Sequence, residues 1–150
     1  MLANVNFEEA ADQAIQLCNK YKLYERKIGL GGIWGSILRE WLESVLPEKL
    51  NLSKIKSLQV ALAPTRIGAS PKLVGGFSSR SDLIEACLAS CHVPLFLDGR
   101  PYTTYKGENV VDGSFWYFVT KDRYTGLPLP AVPPEDIYWF ALSVCALTEN

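Results

Sequence analysis

The chain has 150 residues, 48% of them hydrophobic, which suits one domain with a sizeable core. Its formal charge is −1 and is spread without a basic or acidic block, so the electrostatic footprint of nucleic-acid binding is missing. Cys18, Cys87, Cys91 and Cys145 are scattered through an otherwise ordinary globular composition, and the opening MLANVNFEEAADQ has neither a positive leader nor an apolar stretch. These features predict reduced, mostly buried thiols in a reducing compartment.

Phe7, Ala11, Ala14, Cys18 and Tyr21 recur at helical spacing and predict a first helix over about 7–20, with Asn6 as its N-cap. A glycine-rich stretch, GLGGIWG over 29–35, follows. It lacks the third glycine of a dinucleotide loop and the Lys-Ser/Thr of a nucleotide-binding P-loop. It reads as a flexible interhelical turn, with an anion cradle as the alternative. Leu38, Trp41, Leu42, Val45 and Leu46 form one apolar stripe, predicting a second helix over 36–46 that stops before Pro47. SLQVALAPTR over 57–66 has strand composition, with Pro64 marking an edge or a break, and KLVGGF over 72–77 is a short extended piece that returns antiparallel to it.

The segment SSRSDLIEACLASC is the clearest helix, with Ser79 at its N-cap and Asp82 completing an approximate capping box. Leu83, Ala86, Cys87, Ser90 and Cys91 share its expected buried face. HVPLFLDGRPY breaks the helix at Pro94, and ENVVDG is a short strand ending at Asp112. Beyond 120 the chain is proline-rich up to the apolar run 137–147, which is too short to span a bilayer and reads as a buried strand or core helix. Helices interleaved with short apolar strands predict an α/β fold whose sheet faces are covered by helices, with ligands beyond the strand carboxyl ends.

The candidate sites are few. Asp112-Gly113 is a common turn pair, since aspartate bonds its own backbone and glycine accepts positive φ. The alternative is a strand-end carboxylate able to serve as a general base. His92, with Cys91 beside it and Cys87 four residues earlier, lacks the ligand count of a zinc site, and adjacent residues on a helix diverge too far for a Cys-His nucleophile pair. Core packing is the expected use of both cysteines. No G-x-S-x-G occurs in the 150 residues, so the nucleophile elbow of a serine hydrolase is missing from them. Neither a metal nor a cofactor is expected.

In order and spacing, FSSRSDLIEACLASCHVPLFLDG followed by YKGENVVDGSF resembles the carboxyl half of the patatin-like phospholipase domain, in the branch of adiponutrin and adipose triglyceride lipase. SILREWLESVLPEKL and VALAPTR are similar to the family's upstream helix and strand. The resemblance runs over about residues 7–116 and is specific in the central forty. It implies a partial α/β/α sandwich over residues 1–120, lacking the amino-terminal part that bears the nucleophile, with 121–150 as a proline-rich segment and apolar tail. It also implies lipid ester hydrolysis, of triacylglycerol or glycerophospholipid, by a Ser-Asp dyad in which aspartate takes the serine proton directly.

Asp112, Gly113 and Ser114 match the family's Asp-Gly-Gly/Ala motif, with Asp112 the general base and Ser114 a departure from the usual glycine or alanine. Met1 is then expected to begin partway through the ancestral domain. The resemblance further implies a lipid, membrane or lipid-droplet surface as partner, and a cytoplasmic or peripheral location. A protein partner covering the exposed sheet is a further expectation, and the alternative function is an inactive remnant binding lipid or protein, with Trp116, Tyr117 and Phe118 as an interfacial patch. Outside the resemblance, a small binding module whose Asp-Gly is only a turn stays open.

Overall fold

The structure, a computed structural model, describes residues 6–66 and 69–115. Helix α1 spans Phe7–Lys20, and the Asn6 side chain accepts a hydrogen bond from the Glu8 N–H as its cap. Helix α2 spans Trp34–Val45, two residues earlier than the apolar stripe predicts. No side chain caps it. Its start is fixed instead by tertiary bonds, from the Gly32 N–H to the Phe96 carbonyl at 2.8 Å and from the Gly35 N–H to the Leu97 carbonyl at 3.1 Å. The Trp41 indole N–H ties α2 to α1 through the Ala10 carbonyl at 2.8 Å.

Strand β1 is Gln59–Pro64, β2 is Lys72–Gly75, β3 is Thr103–Tyr105 and β4 is Glu108–Asp112, while helix α3 is Arg80–Ser90. The strands form one four-stranded sheet in the order β2-β1-β4-β3, and each neighbouring pair is antiparallel. Mixed helix and sheet agrees with α/β in the broad sense, but the described sheet contains no parallel pair. β1 lies inside the sheet, and Pro64, paired with Val110, is its last residue, so the proline marks a strand end. β3 was hidden in an expected loop. It pairs with β4 across Lys106-Gly107, both at positive φ of 48° and 81°, the backbone that a two-residue hairpin requires.

α3 lies against β1, β3 and β4 and also against α2. Leu83, Ile84, Ala86, Cys87, Leu88 and Ala89 are all buried, more than the single face expected, because the helix has packed neighbours on two sides. Cys87 is packed in this core, where burial pushes its thiol up to about 12, and Cys91 packs against the same cluster. Leu62 and Ala63 of β1, with Val110 and Val111 of β4, are almost fully buried. Neighbouring residues of a strand point to opposite faces, so the centre of the sheet is covered on both sides. Asp82 anchors α3 to the hairpin: it accepts from the Ser78 N–H at 2.8 Å, the Tyr105 hydroxyl at 2.8 Å and Lys106 Nζ at 3.0 Å. The Asp82 N–H donates to Ser79 Oγ at 3.0 Å, so the capping box forms with its return bond displaced by one residue to Ser78.

Candidate functional site

Asp112 ends β4, opposite Leu62 of β1. Its N–H donates to the His92 carbonyl at 2.9 Å, just past the end of α3, so the residue is held by both a strand and a helix terminus. Its carboxylate Oδ1 accepts from the Ser114 N–H at 2.7 Å and from Ser114 Oγ at 2.5 Å. The local Asp turn and the strand-end carboxylate are therefore both present in one residue. Its Oδ1 contacts fix the side chain at the end of the strand. The hairpin tip of this region is at Lys106-Gly107, the opposite end of β4, so Asp112 is not a tip residue.

Gly113 departs from the turn argument. It is absent from the positive-φ glycines. The requirement for glycine is space, because a Cβ at this position would lie 2.6 Å from the carbonyl carbon, oxygen and Cβ of Ala61. The backbone leaving β4 runs directly over β1, and only the missing side chain permits it.

His92 is the residue that sequence reasoning set aside. It is fully buried. Its Nε2 lies 3.2 Å from the Arg100 carbonyl, which makes Nε2 the protonated nitrogen, and Nδ1 has no hydrogen-bond partner among the described residues. The ring thus closes the 93–100 loop on itself while the main-chain carbonyl holds Asp112. Among the described residues no group of three His, Cys, Asp or Glu side chains could hold a metal ion. The glycine-rich loop offers no anion cradle, because the N–H groups of Gly31, Gly32, Ile33, Trp34 and Gly35 all bond to carbonyls. The Arg26 guanidinium bonds the Gly29 carbonyl at 2.9 Å and that of Gly31 at 3.2 Å, so the loop is pinned where a flexible turn was expected.

Two surface concavities are lined by residues other than Asp112. One of about 510 Å³ lies at the other end of β1 and β4, lined by Pro64, Thr65, Arg66 and Asn109 among others, and one of about 380 Å³ lies between α1 and α2. Trp116, Tyr117 and Phe118, and the segment 121–150 with its apolar run, are outside the described residues. No described helix is long and apolar enough to cross a membrane.

Over 112 residues, 69% of this chain, the sequence is 34% identical to human patatin-like phospholipase domain-containing protein 4, of which the match covers 44%. It is 35% identical over 79 residues, 53% of this chain, to mouse omega-hydroxyceramide transacylase, of which the match covers 13%. It is 32% identical over 77 residues, 51% of this chain, to mouse 1-acylglycerol-3-phosphate O-acyltransferase Pnpla3, of which the match covers 18%. The chain spans less than half the length of these curated relatives. No family model and no solved structure matches.

Proposed function

Because the chain is a homologue of the patatin-like phospholipase domain proteins, we propose that it supplies the general base of a Ser-Asp centre that transfers acyl groups from lipid esters. Asp112 is that base. The observation supporting it most directly is the carboxylate itself, held at the end of a central strand with Oδ1 engaged by Ser114. A serine hydroxyl meeting Oδ2 gives up its proton as its oxygen forms a bond to the ester carbonyl. The protonated Asp112 then returns the proton to the departing alcohol as the original ester bond breaks. Water or a second alcohol then attacks the acyl carbonyl while losing its proton to Asp112, and Asp112 returns that proton to the serine oxygen as the acyl–serine bond breaks. The first acceptor gives hydrolysis of triacylglycerol or glycerophospholipid, and the second gives the acyl transfer that two of the relatives are named for.

The attacking serine has no G-x-S-x-G in this sequence and would come from outside these 150 residues. The burial of both faces of the β1–β4 centre supports a three-layer α/β/α domain around the site.

The test is a graft. Residues 59–115 replace the matching segment of the human phospholipase-domain relative, whose ester hydrolysis is first verified with a fluorescent acylglycerol. The graft is expected to hydrolyse that substrate, and Asp112→Asn within it to lower the rate more than about 100-fold, as loss of a general base does. Ser114→Gly, which restores the residue type common in the family, should keep the rate and reports on folding. An Asp112→Asn graft as active as its parent would overturn the assignment.

A further inference from the structure

We propose that the concavity at the end of β1 and β4 remote from Asp112 binds the phosphate group of a phosphomonoester, with the Arg66 guanidinium as its anchor. This concavity of about 510 Å³ is lined by Thr65, Arg66, Glu108 and Asn109 among others. Arg66 differs from the other arginines among the described residues. Arg26 holds the carbonyls of Gly29 and Gly31, Arg39 the Glu85 carboxylate, Arg80 the Leu46 carbonyl and Arg100 the Asp98 carboxylate. The Arg66 guanidinium has neither a hydrogen bond nor an ion pair among the described residues, and only its main-chain carbonyl is engaged, by the Ala69 N–H at 3.0 Å. Leu62 pairs with Asp112 and Pro64 with Val110, so Asn109 lies about 10 Å from Asp112 along β4. Binding at Arg66 is therefore independent of the role of Asp112.

The wall beside Arg66 presents donors. Asn109 has its acceptors taken, Oδ1 by Thr104 Oγ1 at 3.1 Å and the carbonyl by the Thr65 N–H at 3.0 Å and Thr65 Oγ1 at 3.3 Å. The side-chain Nδ2 is the end left to meet a ligand. Glu108, the carboxylate in the lining, is neutralised by its ion pair with Lys72, so Arg66 carries the uncompensated charge. A cation and an amide donor that meet no acceptor suit a ligand bringing acceptors only. The planar guanidinium fork matches two oxygens of a phosphate, and the tetrahedral group turns a further oxygen toward Asn109. The volume exceeds that of one phosphate and leaves room for the organic part of an ester.

The full chain, isotopically labelled for amide NMR, is titrated with glycerophosphate and with inorganic phosphate at constant ionic strength, with chloride as the reference anion. Saturable shifts centred on residues 64–66 and 107–109 are expected with both phosphates and none with chloride. Arg66→Gln should weaken binding at least about tenfold, and Arg66→Lys, which keeps the charge but not the fork, should weaken it less. Both variants should melt as wild type does, because the guanidinium bonds nothing among the described residues. Lys72→Gln, which unpairs Glu108 beside the site, should also weaken binding. Co-sedimentation with phosphatidylcholine vesicles, with and without phosphatidate, distinguishes the source. A lipid-borne phosphate retains the chain on phosphatidate vesicles until glycerophosphate displaces it, a soluble ester leaves the chain in the supernatant, and either result supports a phosphate site. Shifts that do not saturate, equal shifts with chloride, or an Arg66→Gln variant that binds as wild type does would each overturn the proposal.

Discussion

At the scale of the residue, the Asp-Gly pair divides its work. Asp112 is positioned by bonds at its N–H and at Oδ1, and Gly113 is required because the chain crosses Ala61 at backbone contact distance. Gly113→Ala should therefore destabilise by about 2–3 kcal/mol, as overpacking against unyielding backbone does, visible as a lower urea midpoint. An unchanged midpoint would mean that the β1–β4 crossing is looser than described. Asp82 is the other telling residue. Burial raises its carboxyl, but the Ser78 N–H, Lys106, Tyr105 and the Ser78 hydroxyl outweigh burial and hold it at about 2, below the ordinary 3.8. A carboxyl depressed in the folded state stabilises above its unfolded value and loses that stabilisation as the pH falls through the folded one. The stability advantage of wild type over Asp82→Asn should accordingly shrink by about 1–2 kcal/mol between about pH 4 and about pH 2. A constant difference in denaturant midpoints across that window would contradict the shift.

At the scale of the element, α3 is where local and tertiary demands coincide. Ser79 caps it, and the sheet and α2 bury most of its circumference. Ser79→Ala should cost about 1 kcal/mol, the usual worth of such a cap, measured by chemical denaturation. The β3–β4 hairpin depends on a different device. Gly107 sits at φ of 81° with open space where a Cβ would go, so Gly107→Ala is penalised by backbone conformation alone, by about 1 kcal/mol. A loss much larger than that would point to a clash instead. The pinned glycine-rich loop shows the same principle in reverse. Its composition suggests freedom, yet carbonyls from residues 96 and 97 and the Arg26 side chain take up its bonding groups.

At the scale of the whole molecule, the chain holds the proposed proton acceptor without a G-x-S-x-G in its 150 residues. The purified chain should then hydrolyse a nitrophenyl ester no faster than its Asp112→Asn variant, and a rate abolished by that substitution would contradict the proposed division of the dyad. Most elements were legible in the sequence. α1, α3, β1, β2 and β4 lie where periodicity, caps and strand composition put them, because each is specified by contacts within a few residues of chain. β3 was not legible, since three residues of strand and a Lys-Gly turn give too weak a local pattern. The start of α2 was missed because bonds from residues sixty positions away decide it. Sequence determined by itself the helices with good caps, the strand ending at Asp112 and the kinship carried by its flanking motif. Tertiary structure alone decided the antiparallel strand order, the reason for glycine at 113 and the clasp of buried His92. Each of these depends on which distant backbone lies alongside, and that is fixed only when the sheet closes over its core.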